Sequence, residues 1–326
     1  MRKKKIVVTG SSGVLGSSFK KKAFLRKNKN YKFIFLNSKN VDLRSQKKTL
    51  LYFKKINPDF IIHLAAVSGG IGLSSQYQAT LLRDNILMAF NILEAARSIN
   101  VKKIVMTLTT GMYPEKAKTP YKEKNIHDGY PLLNNYGSSF AKRIIDPAIK
   151  AYRSQYGMDV IGLIVPGIFG ENDNFNLSHA PMLPANIHKI FLAKKSNMKL
   201  RVWGDGSPLR EYIFSEDLRD IFMWALKKYS SPDCLNVSSG QEYSIKSIIF
   251  KICDILKFNK KNIIFEKKDD RGIKRKNSDI KKFKKLVKMK FTPFDEALQK
   301  TVIWFINNFQ NKTLRLGNKI NEKKIR

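Results

Sequence analysis

The sequence KIVVTGSSGVLG, residues 5–16, decides the fold of this chain. A short β-branched run is followed at once by Gly10, Gly13 and Gly16, and then by apolar residues at helical spacing. This order predicts strand, turn and helix. Glycines at such a turn let the backbone approach a pyrophosphate, and the free N–H groups at a helix start favour its charge. The stretch therefore predicts a dinucleotide-binding turn, with a tight turn that holds no ligand as the alternative.

The alternation of strand and helix continues through the first half of the chain. Further strands are predicted at residues 31–36, 59–64, 104–108 and 160–165, with helices at 47–56, 82–99 and 139–156. Strands that alternate with helices form parallel sheets with right-handed crossovers. We therefore expect residues 1–170 to form an α/β, Rossmann-type doubly wound parallel sheet.

The pattern changes after residue 170. Asn, Ser and Pro are frequent in residues 172–184 and predict an irregular connection. Shorter elements follow, with helices at 185–194, 216–228 and 294–309 and a strand at 200–203. We expect residues 171–310 to form a smaller α/β substrate lobe, from which the chain can cross back to the sheet. The polar and basic residues 311–326 are expected to be a mobile tail.

Basic residues dominate the charge of this 326-residue chain, because 62 Lys and Arg oppose 26 Asp and Glu and give a net charge of +36. Such a field attracts nucleic acid, anionic membranes and phosphorylated substrates without selecting one of them. The cations are dispersed along the chain rather than gathered in one stripe with aromatic residues. This favours a compositional bias over nucleic-acid binding, and a cationic nucleic-acid binder on the same scaffold stays an alternative.

Other classes of protein are disfavoured by what the sequence lacks. No apolar run approaches the ~18 residues of a membrane span, and the first residues show no cleavage site of a signal peptide. Cys234 and Cys253 have no further Cys or His at metal-ligand spacing. We therefore expect a cytoplasmic protein without a membrane span, metal site or disulfide framework, in which both thiols are buried.

The end of the second predicted strand selects between the nicotinamide dinucleotides. NAD sites usually carry a carboxylate here, which binds the ribose hydroxyls, whereas a cation accommodates the 2′-phosphate of NADP. The residues at this point are Asn37, Ser38, Lys39 and Asn40, and the first carboxylate is Asp42. Its neighbour Leu43 suggests a position beside the adenine. NADP(H) is therefore expected rather than NAD, although Lys39 could also be an ordinary surface lysine.

Six motifs together resemble one known family. In chain order they are GSSGVLG (10–16), HLAAVSGGI (63–71), MYP (112–114), NYGSSFAKR (135–143), DNFN (173–176) and VWGDGSPLREYIFSEDL (202–218). This order is similar to that of the extended short-chain dehydrogenase/reductases, or NAD-dependent epimerase/dehydratases, and within them to the GDP-L-fucose synthase group. The resemblance covers residues 5–309, nearly the whole chain.

The resemblance implies an NADP(H)-dependent enzyme that epimerises C3 and C5 of a GDP-linked 4-keto-6-deoxymannose and then reduces C4. It also implies a homodimer, formed through the helices at 82–99 and 139–156. With the turn residues, it implies a cofactor site made of Gly10, Ser12, Gly13, Val14, Leu15, Gly16, Asn37, Lys39, Asp42, Leu43, Leu64, Ala65, Ala66 and Lys142.

The catalytic positions of the family are only partly matched. Thr109 stands where a hydroxyl hydrogen-bonds the reacting oxygen, and Lys142 stands where a lysine binds the nicotinamide ribose and lowers the pKa of a tyrosine. That tyrosine, four residues before the lysine, is here Ser138, a far poorer acid than a phenol. Tyr136 is the nearest phenol and could act if the helix began after it. The alternative is a packing tyrosine at the helix entrance.

The epimerase positions depart further from the family. Gly111 stands in place of the acid/base cysteine, and Pro181 stands in place of its partner histidine. Neither residue can move a proton, and His179, two residues before Pro181, is the remaining candidate. Reduction is therefore expected rather than epimerisation. A catalytically degenerate relative that only binds nucleotide sugars stays an alternative.

The features that would hold the substrate are better retained. The resemblance implies that Arg210 grips the nucleotide diphosphate, for which a planar guanidinium is suited. Lys274 and Arg275 resemble a later basic pair near the nucleotide, although both could be solvated surface charges. Asn174 and Trp203 are expected to line the sugar-nucleotide cleft.

Overall fold

A six-stranded parallel sheet forms the centre of the protein, in a computed structural model that describes residues 2–266 and 273–316. Its strands are β1 (Lys4–Val8), β2 (Tyr31–Phe35), β3 (Phe60–His63), β4 (Lys103–Thr109), β5 (Val160–Val165) and β9 (Leu235–Asn236). They lie in the order β2-β1-β3-β4-β5-β9, and every neighbouring pair is parallel. The predicted Rossmann-type α/β fold is confirmed.

Helices cover both faces of this sheet. One face carries α3 (Gln46–Ile56), α5 (Gln78–Ser98) and α7 (Ile145–Tyr156). The other face carries α1 (Val14–Ser18), α2 (Lys22–Lys27), α9 (Ser215–Lys228) and α11 (Lys281–Leu286). A strand that is buried on both faces has no polar side, which explains the continuous apolar sequence VIGLIV of β5.

A second group of elements packs around its own apolar core. Strands β6 (Gly167–Phe169), β10 (Glu242–Ser244) and β12 (Arg275–Lys276) pair with β8 (Leu209–Phe214), and β7 (Leu200–Trp203) pairs with β11 (Ile263–Glu266). Helices α8 (Met182–Lys195), α10 (Ile245–Leu256) and α12 (Phe294–Gln310) enclose a core rich in phenylalanine. Between these elements the chain returns to the central sheet as α9 and β9.

Two short helices complete the part of the fold that surrounds the site: α4 (Ile71–Gln76) and α6 (Tyr136–Arg143). The single helix expected at residues 139–156 is therefore two helices, which meet at Ile144. Pro147 explains the break, because a proline has no N–H to continue the helical ladder and is tolerated only in a first turn. The first helix also begins earlier than expected, at Tyr136.

The C-terminal segment starts as a continuation of the packed structure. Residues 311–316 leave α12 and run beside residues 172–175, where the Phe175 N–H donates to the carbonyl of Arg315 at 3.0 Å. The remainder of the predicted tail, residues 317–326, lies outside the described residues. In the described ranges, no helix has the length and apolar character that crossing a membrane requires.

Candidate active site

The glycine turn between β1 and α1 is shaped by close backbone contacts. Gly10 has a left-handed backbone with φ of 64°, and a Cβ there would lie 2.7 Å from the Ala65 nitrogen. A Cβ on Gly16 would lie 2.3 Å from the Gly10 carbonyl oxygen. Only glycine fits either position, so the turn leaves a cradle of bare backbone at the carboxyl end of β1.

A buried hydrogen-bond cluster fixes the neighbouring loop against this turn. The Thr9 hydroxyl oxygen accepts from the backbone nitrogens of Leu64 and Ala65, each at 3.1 Å, and lies 3.0 Å from Nδ1 of His63. Burial first, and then the charge of Lys142, lower the pKa of His63 to about 3, so its ring is neutral. The Thr9 hydroxyl therefore donates to His63 Nδ1. Sequence reasoning did not identify Thr9 or His63.

The residues of the turn fit a dinucleotide pyrophosphate. Gly10, Gly13, Ala65 and Ala66 are half-buried around the cradle. The buried Ser11 hydroxyl has no hydrogen-bond partner within the described residues. The other predicted contacts differ in exposure, since Ser12 is exposed, Val14 and Leu64 are half-buried, and Leu15 is buried in the core. Leu15 can therefore contribute only backbone to a cofactor site.

The loop after β2 is held together by its own side chains. The Asn37 side-chain oxygen accepts from the Lys39 N–H, and the Asn40 side-chain oxygen accepts from the Asn37 N–H, both at 2.9 Å. Lys39 is exposed at the tip of this loop. The arrangement leaves the Lys39 ammonium accessible to a phosphate group.

Asp42 forms an ion pair that the sequence did not predict. Nε and Nη2 of Arg44 each lie 2.9 Å from one oxygen of Asp42, and Nη1 lies 3.1 Å from the buried carboxylate of Asp84. The Arg44 hydrogen bond lowers the pKa of Asp42. Leu43 is buried in the core, and its carbonyl accepts from Asn91 at 2.8 Å. In this conformation Arg44, rather than Leu43, is the exposed neighbour of Asp42.

Thr109 and Lys142 meet at the carboxyl end of β4. Lys142 projects from α6 and donates from Nζ to the Thr107 carbonyl at 2.9 Å, two residues before Thr109. Burial lowers the pKa of Lys142 to about 8. The Thr109 hydroxyl oxygen accepts from the Gly111 N–H at 3.3 Å, which leaves the hydroxyl proton of Thr109 for another acceptor.

The phenol expected beside this pair is absent from the face of α6 that carries Lys142. Ser138 is half-buried one turn before Lys142 and donates its hydroxyl to the Asn135 carbonyl at 3.1 Å. Tyr136 is the first residue of α6 and is exposed, and its ring centroid lies 4.6 Å from that of Phe140. This position agrees with the packing alternative for Tyr136, because the helix includes the residue instead of starting after it.

The two positions of the predicted epimerase pair are occupied differently. A Cβ on Gly111 would meet nothing nearer than 3.7 Å, so a side chain has room there. Pro181 is the N-cap residue that immediately precedes α8. The His179 ring lies edge-on to Tyr77 with 6.1 Å between centroids, and its carbonyl accepts from the Gly70 N–H at 2.8 Å.

Arg210 lies next to a cation that sequence reasoning missed. Lys276 on β12 is in register with Arg210 on β8. Burial, and then the charge of Arg210, lower the pKa of Lys276 to about 8, and burial also lowers the pKa of Arg210. Neither side chain has an ion-pair partner in the ranges that the structure describes. Two half-buried charges of the same sign repel each other, and an anion placed between them would relieve that repulsion.

The basic pair predicted from the sequence, Lys274 and Arg275, is placed differently. Both are exposed, and Arg275 forms an ion pair with Glu242, with Nη2 and Oε2 2.5 Å apart. The Lys274 carbonyl accepts from the Leu209 N–H at 2.8 Å. The side chain beside Arg210 is thus Lys276, because the register of β12 against β8 decides which residue of the run faces inward.

The two remaining residues predicted to bind the substrate, Asn174 and Trp203, lie in different parts of the structure. Trp203 ends β7 and is 80% exposed, with Lys189 Nζ 5.8 Å from its ring centroid. Asn174 is buried in the loop before α8 and lines a small cavity together with Ala66 and His179. Residues predicted for cofactor, substrate and catalysis therefore meet at this cavity. Among the described residues, no cluster of His, Cys, Asp and Glu could hold a metal ion.

Comparison with known proteins identifies the class to which this architecture belongs. Residues 6–238 match the sequence profile of the NAD dependent epimerase/dehydratase family, and the chain belongs to that family. The resemblance inferred from the six motifs is confirmed.

The individual relatives narrow the comparison. The chain is 36% identical to the GDP-L-fucose synthase of Dictyostelium discoideum over 310 residues, 94% of this chain and 97% of the relative. It is 30% identical to a probable GDP-L-fucose synthase of Drosophila melanogaster, over 94% of this chain and 98% of the relative. The structure of a GDP-L-fucose synthetase from Naegleria fowleri bound to NADP superposes with a TM-score of 0.88 and 30% identity, and covers 97% of each chain.

Proposed function

We propose that this protein is an NADP(H)-dependent reductase of a GDP-linked keto sugar, with C4 as the reduced carbon. The observation that carries the proposal is the pairing of Arg210 with Lys276, two half-buried cations that together fit the diphosphate of a nucleotide sugar. The relatives named as GDP-L-fucose synthases, and the NADP held by one of them, support the same substrate and cofactor classes.

The residues near β4 fit the reduction step. NADPH, when bound at the glycine turn, supplies the hydride for the carbonyl carbon of the sugar. The Thr109 hydroxyl then donates a hydrogen bond to the carbonyl oxygen, on which negative charge develops. The ammonium group of Lys142 stabilises the same charge and supplies the proton, because Ser138 is too weak an acid to do so. Thr107 holds Lys142 in place through its carbonyl.

Epimerisation at C3 and C5 is not part of this proposal. It needs an acid and a base on the sugar, and Gly111 and Pro181 can supply neither. His179 alone provides one titratable group in the loop, and its ring packs against Tyr77.

A second candidate function is binding without turnover. It is favoured by one specific observation, which is that Ser138, Gly111 and Pro181 occupy the three family positions that move protons, whereas the glycine turn and Arg210 are retained. Such a protein would hold NADP(H) and a nucleotide sugar as a sensor or as a partner of an active relative.

One experiment separates the two candidates. Purified protein is mixed with NADPH and GDP-4-keto-6-deoxymannose, and both NADPH fluorescence and absorbance are followed. Saturable quenching of fluorescence with loss of absorbance supports the reductase, and this loss should disappear in Lys142→Ala. Quenching without loss of absorbance supports binding alone. NADPH fluorescence that does not change when the protein is added contradicts both candidates. Tyr136→Phe is the matched control, which keeps full activity if Tyr136 is only a packing residue.

We further propose a homodimer, since α5 and the junction of α6 with α7 carry exposed apolar side chains, among them Leu82, Leu87 and Ile144. The cytoplasmic location stays a prediction from the sequence.

The nucleic-acid alternative predicts that the protein binds nucleic acid with an affinity that falls steeply as the salt concentration rises. An electrophoretic mobility assay at two salt concentrations tests this.

A further inference from the structure

The cavity at the candidate sugar site is closed by three separate segments of the chain. The first wall consists of Ala66, Val67 and Ser68, which follow β3, together with Leu73. The second wall consists of Asn174 and His179, and the third consists of Arg315 and Leu316. Its volume is about 20 Å³, which is room for a single water. A hexose is much larger, so a sugar can occupy this place only when one wall moves.

The C-terminal wall follows directly after α12 and is held by a few hydrogen bonds that can be named. The chain leaves α12 and turns at Lys312, which has a left-handed backbone with φ of 55°. Thr313 then ties the segment back to Asn308 through its N–H at 2.9 Å and its hydroxyl at 2.8 Å. Beyond this point, the hydrogen bond from Phe175 to the Arg315 carbonyl holds the segment against the loop. We call residues 313–316 the C-terminal strap.

The Arg315 side chain has unused hydrogen-bonding capacity. It is half-buried, and its one side-chain hydrogen bond to a described residue runs from Nη1 to the Asn172 carbonyl at 3.4 Å. A guanidinium carries five N–H donors. Arg315 lines the cavity, so its remaining donors are available to a ligand that enters there.

The positive charge of Arg315 is only partly balanced by the nearby acidic residue Asp173. Asp173 is buried in the adjacent loop, and its Oδ2 has no hydrogen-bond partner among the described residues. Burial raises the pKa of Asp173 to about 7, the Asn174 N–H opposes that rise, and the positive charge of Arg315 opposes it further. When it is ionised, the Asp173 carboxylate attracts the Arg315 guanidinium electrostatically.

We propose that Arg315 is a specificity-determining residue, whose guanidinium donates hydrogen bonds to oxygen atoms of the sugar ring in a nucleotide-linked keto sugar. This inference rests on the proposed function. The sugar rather than the diphosphate is the partner, because Arg210 and Lys276 already form a cationic site on β8 and β12. Arg315 lines the same cavity as Ala66, a predicted cofactor residue, and Asn174, a predicted substrate residue. The guanidinium N–H groups of Arg315 are donors, and the hydroxyl and carbonyl oxygens of a keto sugar are acceptors for them.

The test compares ligands that differ only by the sugar. Isothermal titration calorimetry measures NADP, GDP and GDP-4-keto-6-deoxymannose on wild type, Arg315→Gln, Arg315→Lys and Arg26→Gln. Arg26 is an exposed arginine of α2 that does not line the cavity and serves as the control. Loss of charge-assisted hydrogen bonds should weaken the GDP-sugar by about 10- to 100-fold in Arg315→Gln. Its affinities for GDP and NADP should stay those of wild type, and Arg315→Lys should recover part of the loss.

Each other outcome overturns the inference. Equal affinity of wild type and Arg315→Gln for the GDP-sugar shows that Arg315 does not contact the sugar. If Arg315→Gln loses affinity for GDP and for the GDP-sugar equally, Arg315 either binds the nucleotide or is needed for folding. The thermal unfolding temperature of the variant distinguishes these two cases. Tighter binding by the variant makes the C-terminal strap an obstacle to the substrate. If wild type binds NADP but no GDP-sugar, the proposed function itself fails.

Discussion

Ser138 is the residue on which the chemistry of this site depends most directly. It lies on α6 one turn before Lys142, at the position where the family resemblance places a phenol, and its hydroxyl is engaged with the Asn135 carbonyl. A phenol has a pKa of about 10 and a serine hydroxyl is a much weaker acid. The site therefore lacks the phenol that the family resemblance implies, whereas Thr109 and Lys142 match the other two implied positions.

Ser138→Tyr is expected to raise the rate of keto-sugar reduction. A positioned general acid contributes about 10²- to 10⁴-fold to such a step, and the new phenol would lie on the same helix face as Lys142. The rate of NADPH consumption with GDP-4-keto-6-deoxymannose measures the gain. Ser138→Phe is the matched control, since it adds the same ring without the hydroxyl. Equal rates for the two variants would show that no proton donor is missing at this position.

Lys142 gives the wild-type reaction a pH dependence of defined sign. Burial lowers its pKa to about 8, so the ammonium is charged below this pH and loses its proton above it. If Lys142 stabilises or protonates the alkoxide, kcat should be level below pH about 8 and fall at higher pH. A steady-state pH profile measures this. Lys142→Arg stays charged throughout and should lack the fall, and an identical decline in that variant would assign it to another group.

At the scale of elements, the central strands were predictable and the inward-facing residue of a short strand was not. The runs that became β1, β3 and β5 are rich in Ile and Val and adjoin helical patterns, so the local sequence locates them. The strand β12 has two residues, and its register against β8 determines that Lys276 lies beside Arg210. Nothing local in the sequence distinguishes Lys276 from Lys274 and Arg275, because the distinction is made by a contact with a distant strand.

The same limit applies to the start of α6 and to the C-terminal segment. Tyr136 could be placed at a helix entrance from the sequence, but whether α6 starts before or after it depends on the preceding turn. Residues 311–316 are polar and were expected to be mobile. Their hydrogen bond to Phe175 is again a long-range contact, which hydrophobic periodicity does not encode.

Substitution of glycine by alanine is expected to destabilise the protein in the glycine turn, at Gly16, and to have little effect at Gly111. In Gly16→Ala the new Cβ would lie 2.3 Å from a backbone oxygen, so we expect a loss of about 1–3 kcal/mol in the free energy of unfolding and loss of NADPH binding. In Gly111→Ala the nearest atom is 3.7 Å away, so the change should stay within about 0.5 kcal/mol. Urea unfolding and NADPH fluorescence titration measure both. Similar behaviour of the two variants would contradict the close packing of the turn.

At the scale of the whole molecule, ion pairs connect the cofactor region to the substrate region. Lys21, just after α1, lies 2.8 Å from Glu171 and 2.6 Å from Glu216. Arg219 on α9 donates to the Ser18 carbonyl at 3.2 Å. Glu171 begins the loop that carries Asn174, so the helix that follows the glycine turn and the loop at the sugar site share one ionic cluster. The two regions are therefore expected to respond to each other's ligands.

The surface opposite this cluster predicts the oligomeric state. Leu82, Ile86 and Phe90 are half-buried or exposed at four-residue intervals on α5, and Phe140 and Ile144 continue the apolar face onto α6 and its junction with α7. Exposed apolar stripes of this kind are typical of subunit interfaces. Because an isologous interface uses the same patch twice, a single charge there is introduced at two places in a dimer.

Ile144→Asp is therefore expected to convert a homodimer into monomers. Ile144 is 42% exposed in the single chain, and burying two carboxylates at a symmetric interface has a large desolvation cost. Sedimentation velocity distinguishes the 37.5 kDa chain from a species of twice that mass. Leu51→Asp is the control, since Leu51 is 58% exposed on α3 and is not one of the residues of the proposed interface. A wild-type protein that sediments as a monomer at micromolar concentration would contradict the proposed dimer, whereas dissociation of Leu51→Asp as well would place the interface elsewhere.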